Sequence, residues 1–267
     1  PRSWPTGPEH LLAALLDPDA APVGEPREVD VGDPGLPAVA AADDGRFVVA
    51  WGAHDAFGGA LGLRARGFAA DGDALGRTFR LDPALGTSTT APAVVADRDG
   101  GFVAVYGRDG RILGTRLAAG PSAGAVRVLD AERVVAERDA WVEVRLLRSG
   151  GSDGAVSVEA VIHPGNAIPG VDFEPGVAPV LFDDGDLAPQ AARIRIRGDA
   201  APDGARRVEL ELVHAGGGAV LAEPATAAVT IVDDDALPED PGPPPLGPER
   251  PVAEPGTPSS WPAVAPV

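Results

Sequence analysis

Three consecutive carboxylates, Asp233, Asp234 and Asp235, close the stretch AAVTIVDDD (227–235), in which apolar residues alternate as a β-strand requires. Like charges placed side by side repel, so a strand that ends on three of them needs a counter-charge from elsewhere. Further acids lie upstream: Glu137, Asp172 in the loop HPGNAIPGVDFEPG (163–176), and Asp199 and Asp203 in GDAAPDG (198–204). Whether these seven groups meet depends on the elements between them.

Those elements read as strands: VEVRLLR (142–148), AVSVEAVI (155–162), VAPVLF (177–182), ARIRIR (192–197), RVELELV (207–213) and AAVTIV (227–232), joined by Gly- and Asp-rich links. In an up-and-down antiparallel sandwich each crossing carries the chain to the opposite end. Glu137 precedes the first crossing, the loop 163–176 follows the second, 198–204 the fourth and the Asp triplet the sixth, so all seven carboxylates are expected at one end. Asp183, Asp184 and Asp186 fall at the other end and are expected to be ordinary turn residues. Period-two geometry puts Asp233 and Asp235 on the face of Val229 and Ile231, with Asp234 opposite.

Gathered without compensation, such groups would be driven towards protonation. A hard cation that takes six to eight oxygens in flexible geometry relieves them, which points to Ca²⁺ over the smaller, octahedral Mg²⁺. Zinc's usual His and Cys ligands are missing from this end except for His163.

With AERDA (136–140), LLRSGG (146–151), GVDF (170–173), the acidic loop after IRIR and the closing VTIVDDD (229–235), the segment resembles a Calx-β domain, a calcium-binding β-sandwich. The resemblance implies an Ig-like sandwich over about 131–236 and metal ligation by Glu137, Asp172, Asp199, Asp203, Asp233, Asp234 and Asp235. It departs from the family pattern at Arg206 and Arg207, which stand where an acidic pair is usual; their charge would neutralise part of the cluster.

Ahead of this segment lies an internal repeat. PAVAAADDGRFVVAWG (37–52) aligns without gaps on PAVVADRDGGFVAVYG (92–107), a shift of 55 residues that places Phe47 on Phe102 and Trp51 on Tyr106. Short strands ending in Asp recur around the copies: PREVD (26–30), RTFRLD (77–82) and VRVLD (126–130). Each unit reads as a four-strand meander with tight Asp-Gly turns and a buried aromatic face. The units resemble the P-x-V-A…D-G-x-F-V-V-x-W repeats of bacterial surface proteins, often propeller-blade-like. Two blades cannot close a ring, so the pair is expected to pack as a sandwich or to find neighbours in other chains.

The expected fold class is therefore all-β: a repeat β-meander module (23–130), the Calx-β-like sandwich (131–236) and a Pro-rich extended tail (237–267) ending in SSWPAVAPV. The segment 1–22 is expected to hold a short helix, because in GPEHLLAALLD (7–17) Leu11, Leu12, Leu15 and Leu16 fall on one helical face behind Pro8 and Glu9.

Composition narrows the function. A net charge of −18 opposes binding to nucleic acid or an anionic membrane, and no run of about 18 apolar residues offers a membrane span. Zero Cys excludes disulfides, iron–sulfur clusters and thiol catalysis, and a start at Pro1 without Met reads as a trimmed chain. The four His residues, at 10, 54, 163 and 214, show no catalytic spacing, and no G-x-S-x-G, phosphate-loop or dinucleotide motif is present. The reading is a non-enzymatic, secreted or cell-surface structural protein, stabilised by calcium, that self-associates into a fibre or adhesive assembly through its tail or an edge strand. The alternative is an adhesin module that holds a surface glycan on exposed aromatics such as Trp51, Tyr106 or Trp141.

Overall fold

The computed structural model describes residues 9–55, 59–82, 91–117 and 119–235; the expected docking tail, 237–267, lies outside the described residues. The chain divides into two compact units, Pro1–Asp234 and Asp235–Val267, and of the second only Asp235 is described.

No helix forms among the described residues, which corrects the reading of the N-terminal segment. Glu9–Ala13 is strand β1, paired antiparallel with β2 (Arg27–Pro34). The leucine run satisfies two periods at once, and the period of two prevails: Leu11, Ala13 and Leu15 pack inwards, while Leu12 and Leu16 are exposed. An isolated helix of about ten residues is marginal in water, whereas the β1–β2 ladder supplies hydrogen bonds and an apolar face together.

The repeat is preserved in strand register. In the first copy β3 (Ala38–Ala41) pairs with β4 (Phe47–His54), Ala38 opposite Ala50 and Ala41 opposite Phe47. In the second, β7 (Ala93–Ala96) pairs with β8 (Phe102–Arg108), Ala93 opposite Val105 and Ala96 opposite Phe102. The first sheet continues through β5 (Ala60–Phe68) and β6 (Phe79–Arg80), the second through β9 (Arg111–Leu117).

The two sheets stack face to face. Val48 and Ala50 of β4, with Leu63 and Ala65 of β5, meet Phe102 and Tyr106 of β8 in one core. The opposite face of the first sheet carries Phe47, Trp51 and Phe68, covered by Val29 of β2 and Leu11 of β1. Phe47 stacks on Phe68 with ring centroids 4.9 Å apart, and the Trp51 indole N–H donates to Asp30 Oδ2 at 2.7 Å. The β1–β2 hairpin thus stands where a preceding repeat would stack. The corresponding far face of the second sheet is open: Val95, Val105 and Ile112 are 59%, 39% and 82% exposed.

The following sandwich has two sheets. One runs β15 (Gln190–Arg195), β12 (Trp141–Ser149), β10 (Ala125–Val128), β17 (Val220–Leu221). The other runs β11 (Glu132–Ala136), β18 (Thr226–Val232), β16 (Arg206–Val213), β13 (Val156–His163), β14 (Val177–Phe182). VRVLD is not a free-standing repeat strand here, since β10 pairs with β12 antiparallel and β17 parallel. Alternate residues of the long strands, among them Val144, Val158, Ile194, Leu210 and Val229, fill a single core together with Phe173 of the loop 164–176.

Arg148 is the one fully buried charge of that module. Its guanidinium donates to the carbonyls of Ala123 (2.9 Å), Asp183 (3.2 Å), Asp153 (3.0 Å) and Gly154 (2.9 Å), tying three loops at one end of the sandwich. Burial pushes its pKa below the usual arginine range, against the pull of Asp153 and other acids nearby. The same end meets the repeat module. Gly150 N–H donates to Arg80 O at 2.8 Å, Ser152 Oγ to Thr78 O at 2.9 Å, and Arg77 pairs with Asp184 at 2.6 Å. Asp183, Asp184 and Asp186 belong to one turn as expected, but Asp184 is not an ordinary member of it: it also accepts from Arg77 and from the Gly154 N–H, because the neighbouring module brings a cation to it.

Two outcomes are expected. Arg148→Met strands buried carbonyls and lowers unfolding free energy by at least about 3 kcal/mol, read from urea denaturation. Asp130 accepts two hydrogen bonds from Arg145, 2.7 and 2.8 Å, and chiefly this contact holds its carboxyl below the ordinary range. That stability is present above the unfolded aspartate value of about 3.9 and is lost as pH falls through the lower folded value. Asp130→Asn is therefore less stable than the parent at neutral pH, and the gap closes below about pH 3.9.

Candidate metal centre

Parallel pairing of β11 with β18 sets Ala136 beside Val232 and lets Glu137 N–H donate to Val232 O at 2.9 Å. The residues that leave the two strands, Glu137 and Asp233, therefore emerge at the same end. β12 begins opposite the end of β15, Trp141 facing Arg195, so the loop after β15 arrives there too. β13 ends opposite the beginning of β16, His163 facing Glu209, which adds the loop 163–176.

The seven sequence-derived positions share this end but not one set of partners. Glu137, 8% exposed, accepts the Asp199 backbone N–H on Oε1 at 2.8 Å. One carboxylate oxygen each of Glu137, Asp199 and Asp235 lie within 4.8 Å of one another. Asp199 Oδ1 also accepts the Ala201 N–H at 2.7 Å, a local turn that fixes its direction. Asp233 Oδ2 accepts the Gly204 N–H at 2.7 Å, tying the loop 198–204 to the end of β18.

The remaining three are engaged by arginine. Asp234 accepts the Arg138 backbone N–H at 3.3 Å and pairs with its guanidinium. Asp203 pairs with Arg206 at 2.6 Å, and Asp172, 6% exposed, lies 3.7 Å from the same guanidinium. Asp172 Oδ2 also takes the Ile168 N–H at 2.6 Å and so closes its own loop. Asp203 above all, with Asp172 and Asp233 adding to it, raises the pKa of Arg206. Arg207 turns away: its closest carboxylate is Glu209, at 3.7 Å, so only one of the two arginines noted in the sequence neutralises the acids. Arg138 was missed as a partner, although it directly follows Glu137 in AERDA and thus had to emerge beside the Asp triplet.

The trio Glu137, Asp199 and Asp235 offers only oxygen, with one member nearly buried. Three carboxylates at this spacing repel, and a hard divalent ion is the counter-charge their chemistry fits. Soft or imidazole-seeking metals find nothing here, since His163 is paired with exposed Glu211 at 2.9 Å. His10 and His214 likewise pair with exposed Glu28 and Glu159, at 2.9 Å each.

Of the aromatics considered for ligand contact, Trp51 and Tyr106 are buried, 0% and 5% exposed, and belong to the repeat cores. Trp141 is 52% exposed, with Arg195 over its ring at 5.6 Å, in an open cleft of about 410 Å³ that also includes Glu174 and Arg193.

The family model of the Calx-beta domain matches residues 122–235. Among solved structures the chain is similar to the apo form of the Calx CBD1 domain, at 29% identity over 42% of this chain and 99% of that one, TM-score 0.39. It is also similar to CBD12 from CALX1.2, at 29% identity over 42% of this chain and 46% of that one, TM-score 0.40. The Calx CBD2 domain matches at 14% identity over 44% of this chain and 91% of that one, TM-score 0.40. A comparison with characterised protein sequences returns no match. The carboxylate-rimmed sandwich, residues 122–235, is a Calx-beta domain.

Proposed function

We propose that the chain is a non-enzymatic, secreted or cell-surface structural protein whose Calx-beta domain is stiffened by Ca²⁺. The observation that carries this reading is the trio of Glu137, Asp199 and Asp235 oxygens within 4.8 Å, one of them on a nearly buried side chain. Glu137, Asp199 and Asp235 hold the ion; Asp233 and Asp234 stand beside Asp235 in sequence, while Asp172 and Asp203 join when Arg206 yields. Calcium supplies charge neutralisation and links the loop 198–204 to the ends of β11 and β18.

Self-association is supported by the open face of β7, β8 and β9. Its residues Val95 and Val105 correspond, 55 positions on, to Ala40 and Ala50, which the second repeat covers in the first sheet. A second copy of this chain is the occupant proposed for it, since the opposite stacking surface is already closed by the β1–β2 hairpin. Docking of the tail 237–267 on a neighbour remains part of the proposal, as the route from pairs of copies to a fibre. A second reading, glycan binding by an adhesin, is favoured by the half-exposed Trp141 in its cleft with Glu174 and Arg193.

Calcium at a hundred times its dissociation constant is expected to add about 2.7 kcal/mol, a rise of roughly 5–10 °C in the melting temperature over a chelated sample. Glu137→Gln and Asp199→Asn are expected to abolish most of that rise and Asp186→Asn none of it; identical melts with calcium and chelator sink the reading. Sedimentation at increasing concentration is expected to show dimers or larger species that Val105→Glu dissociates.

A further inference from the structure

In a chain with a net charge of −18, one cleft gathers positive charge. It measures about 300 Å³ and lies where the first repeat sheet meets the Calx-beta domain, lined by Asp30, Arg64, Arg66, Arg77, Asp184 and Leu187 among others. Arg64 and Arg66 are two residues apart on β5, so the strand period puts both guanidinium stems on one face. Arg80 adjoins them: it is 4% exposed, and its Nη2 donates at 3.1 Å to the carbonyl of Leu187, a lining residue.

The carboxylates at hand do not match these cations. Asp184 is taken by Arg77 at 2.6 Å. Asp30 receives the Trp51 indole N–H at 2.7 Å and only a long 3.5 Å contact from Arg64. Among the described residues neither Arg66 nor Arg80 has an ion pair; Arg66 reaches the Gly76 carbonyl at 3.4 Å and lies 5.8 Å over the Phe68 ring. The Nε atoms of both Arg64 and Arg80 are buried without a hydrogen-bond partner. A buried donor left unpaired is costly, and the three guanidinium groups that line the cleft against two carboxylates leave an excess of positive charge there, with Arg80 behind them drawn towards Asp82.

We propose that this cleft binds an oxyanion group, a carboxylate or a sulfate, with Arg64 and Arg66 as its principal contacts. Each such group offers several acceptor positions to the planar, multi-donor guanidinium fork, which Lys would not match. The volume is at the low end for ligand pockets and takes a free anion or one acidic sugar residue. Because Arg77 and Asp184 line the same cleft, occupancy braces the contact between the repeat module and the Calx-beta domain. This site is independent of calcium, which acts at the other end of the sandwich.

The test is thermal melting of the full chain with sodium sulfate, galacturonate or an oligogalacturonate, against sodium chloride at equal ionic strength, backed by titration calorimetry. A saturable rise with sulfate alone assigns a free inorganic anion as the ligand; a rise with galacturonate, stronger for the oligomer, assigns an acidic glycan. Arg66→Gln is expected to weaken binding about tenfold or more while leaving the calcium response intact, and Arg66→Lys, which keeps the charge but loses the fork, to weaken it less. No saturable response in the parent overturns the proposal. So does a rise that is linear in salt and unchanged in Arg66→Gln, which is the general exclusion effect of sulfate.

Discussion

The parallel pairing of β11 with β18 is the constraint on which the acidic rim depends. It joins chain positions almost a hundred residues apart and sets the point at which both strands stop, so that Glu137 N–H reaches Val232 O. Without it Glu137 would leave the sheet elsewhere and the Asp triplet would face solvent alone. The antiparallel ladders of β12 with β15 and β13 with β16 bring the two acidic loops to the same end, but they only add to a site whose first two walls the parallel pair erects.

The rim is in balance between two kinds of counter-charge. Arg138 and Arg206 already occupy Asp234, Asp203 and Asp172, while Glu137, Asp199 and Asp235 stand close together on oxygen donors alone. Of these three, Glu137 is nearly buried, so its charge is the one least relieved by water.

At the opposite end arginine has another role. Arg148 replaces solvent for four backbone carbonyls, and Arg77 and Arg80 stitch the first repeat sheet to the sandwich loops. A guanidinium suits such junctions because its donors point in several fixed directions at once. Around Arg64 and Arg80 donors outnumber acceptors, the Nε of each being buried without a hydrogen-bond partner.

Much of this was legible in the chain. Period-two alternation delimits the six long strands of the sandwich to within two residues or so, since one buried face demands it, and a gapless 55-residue repeat forces equal register in both copies. Counting crossings was enough to put the acids at one end, because strand direction reverses with every antiparallel crossing. The leucines of GPEHLLAALLD were ambiguous: their spacing suits a helix, and only the presence of β2 as a partner made the strand the lower-energy choice. Asp184 and Arg138 were likewise undecidable from local sequence, as each owes its role to a cation or anion brought from a distant segment. Arg64 and Arg66 stand plainly in alternate positions of LGLRARGF, yet their shortage of partners exists only once two modules have met. Sequence alone determined which side chains share a face and which end of a strand they approach, for those follow from backbone periodicity; tertiary structure decided which opposite charges find each other, because that depends on distances no periodicity sets.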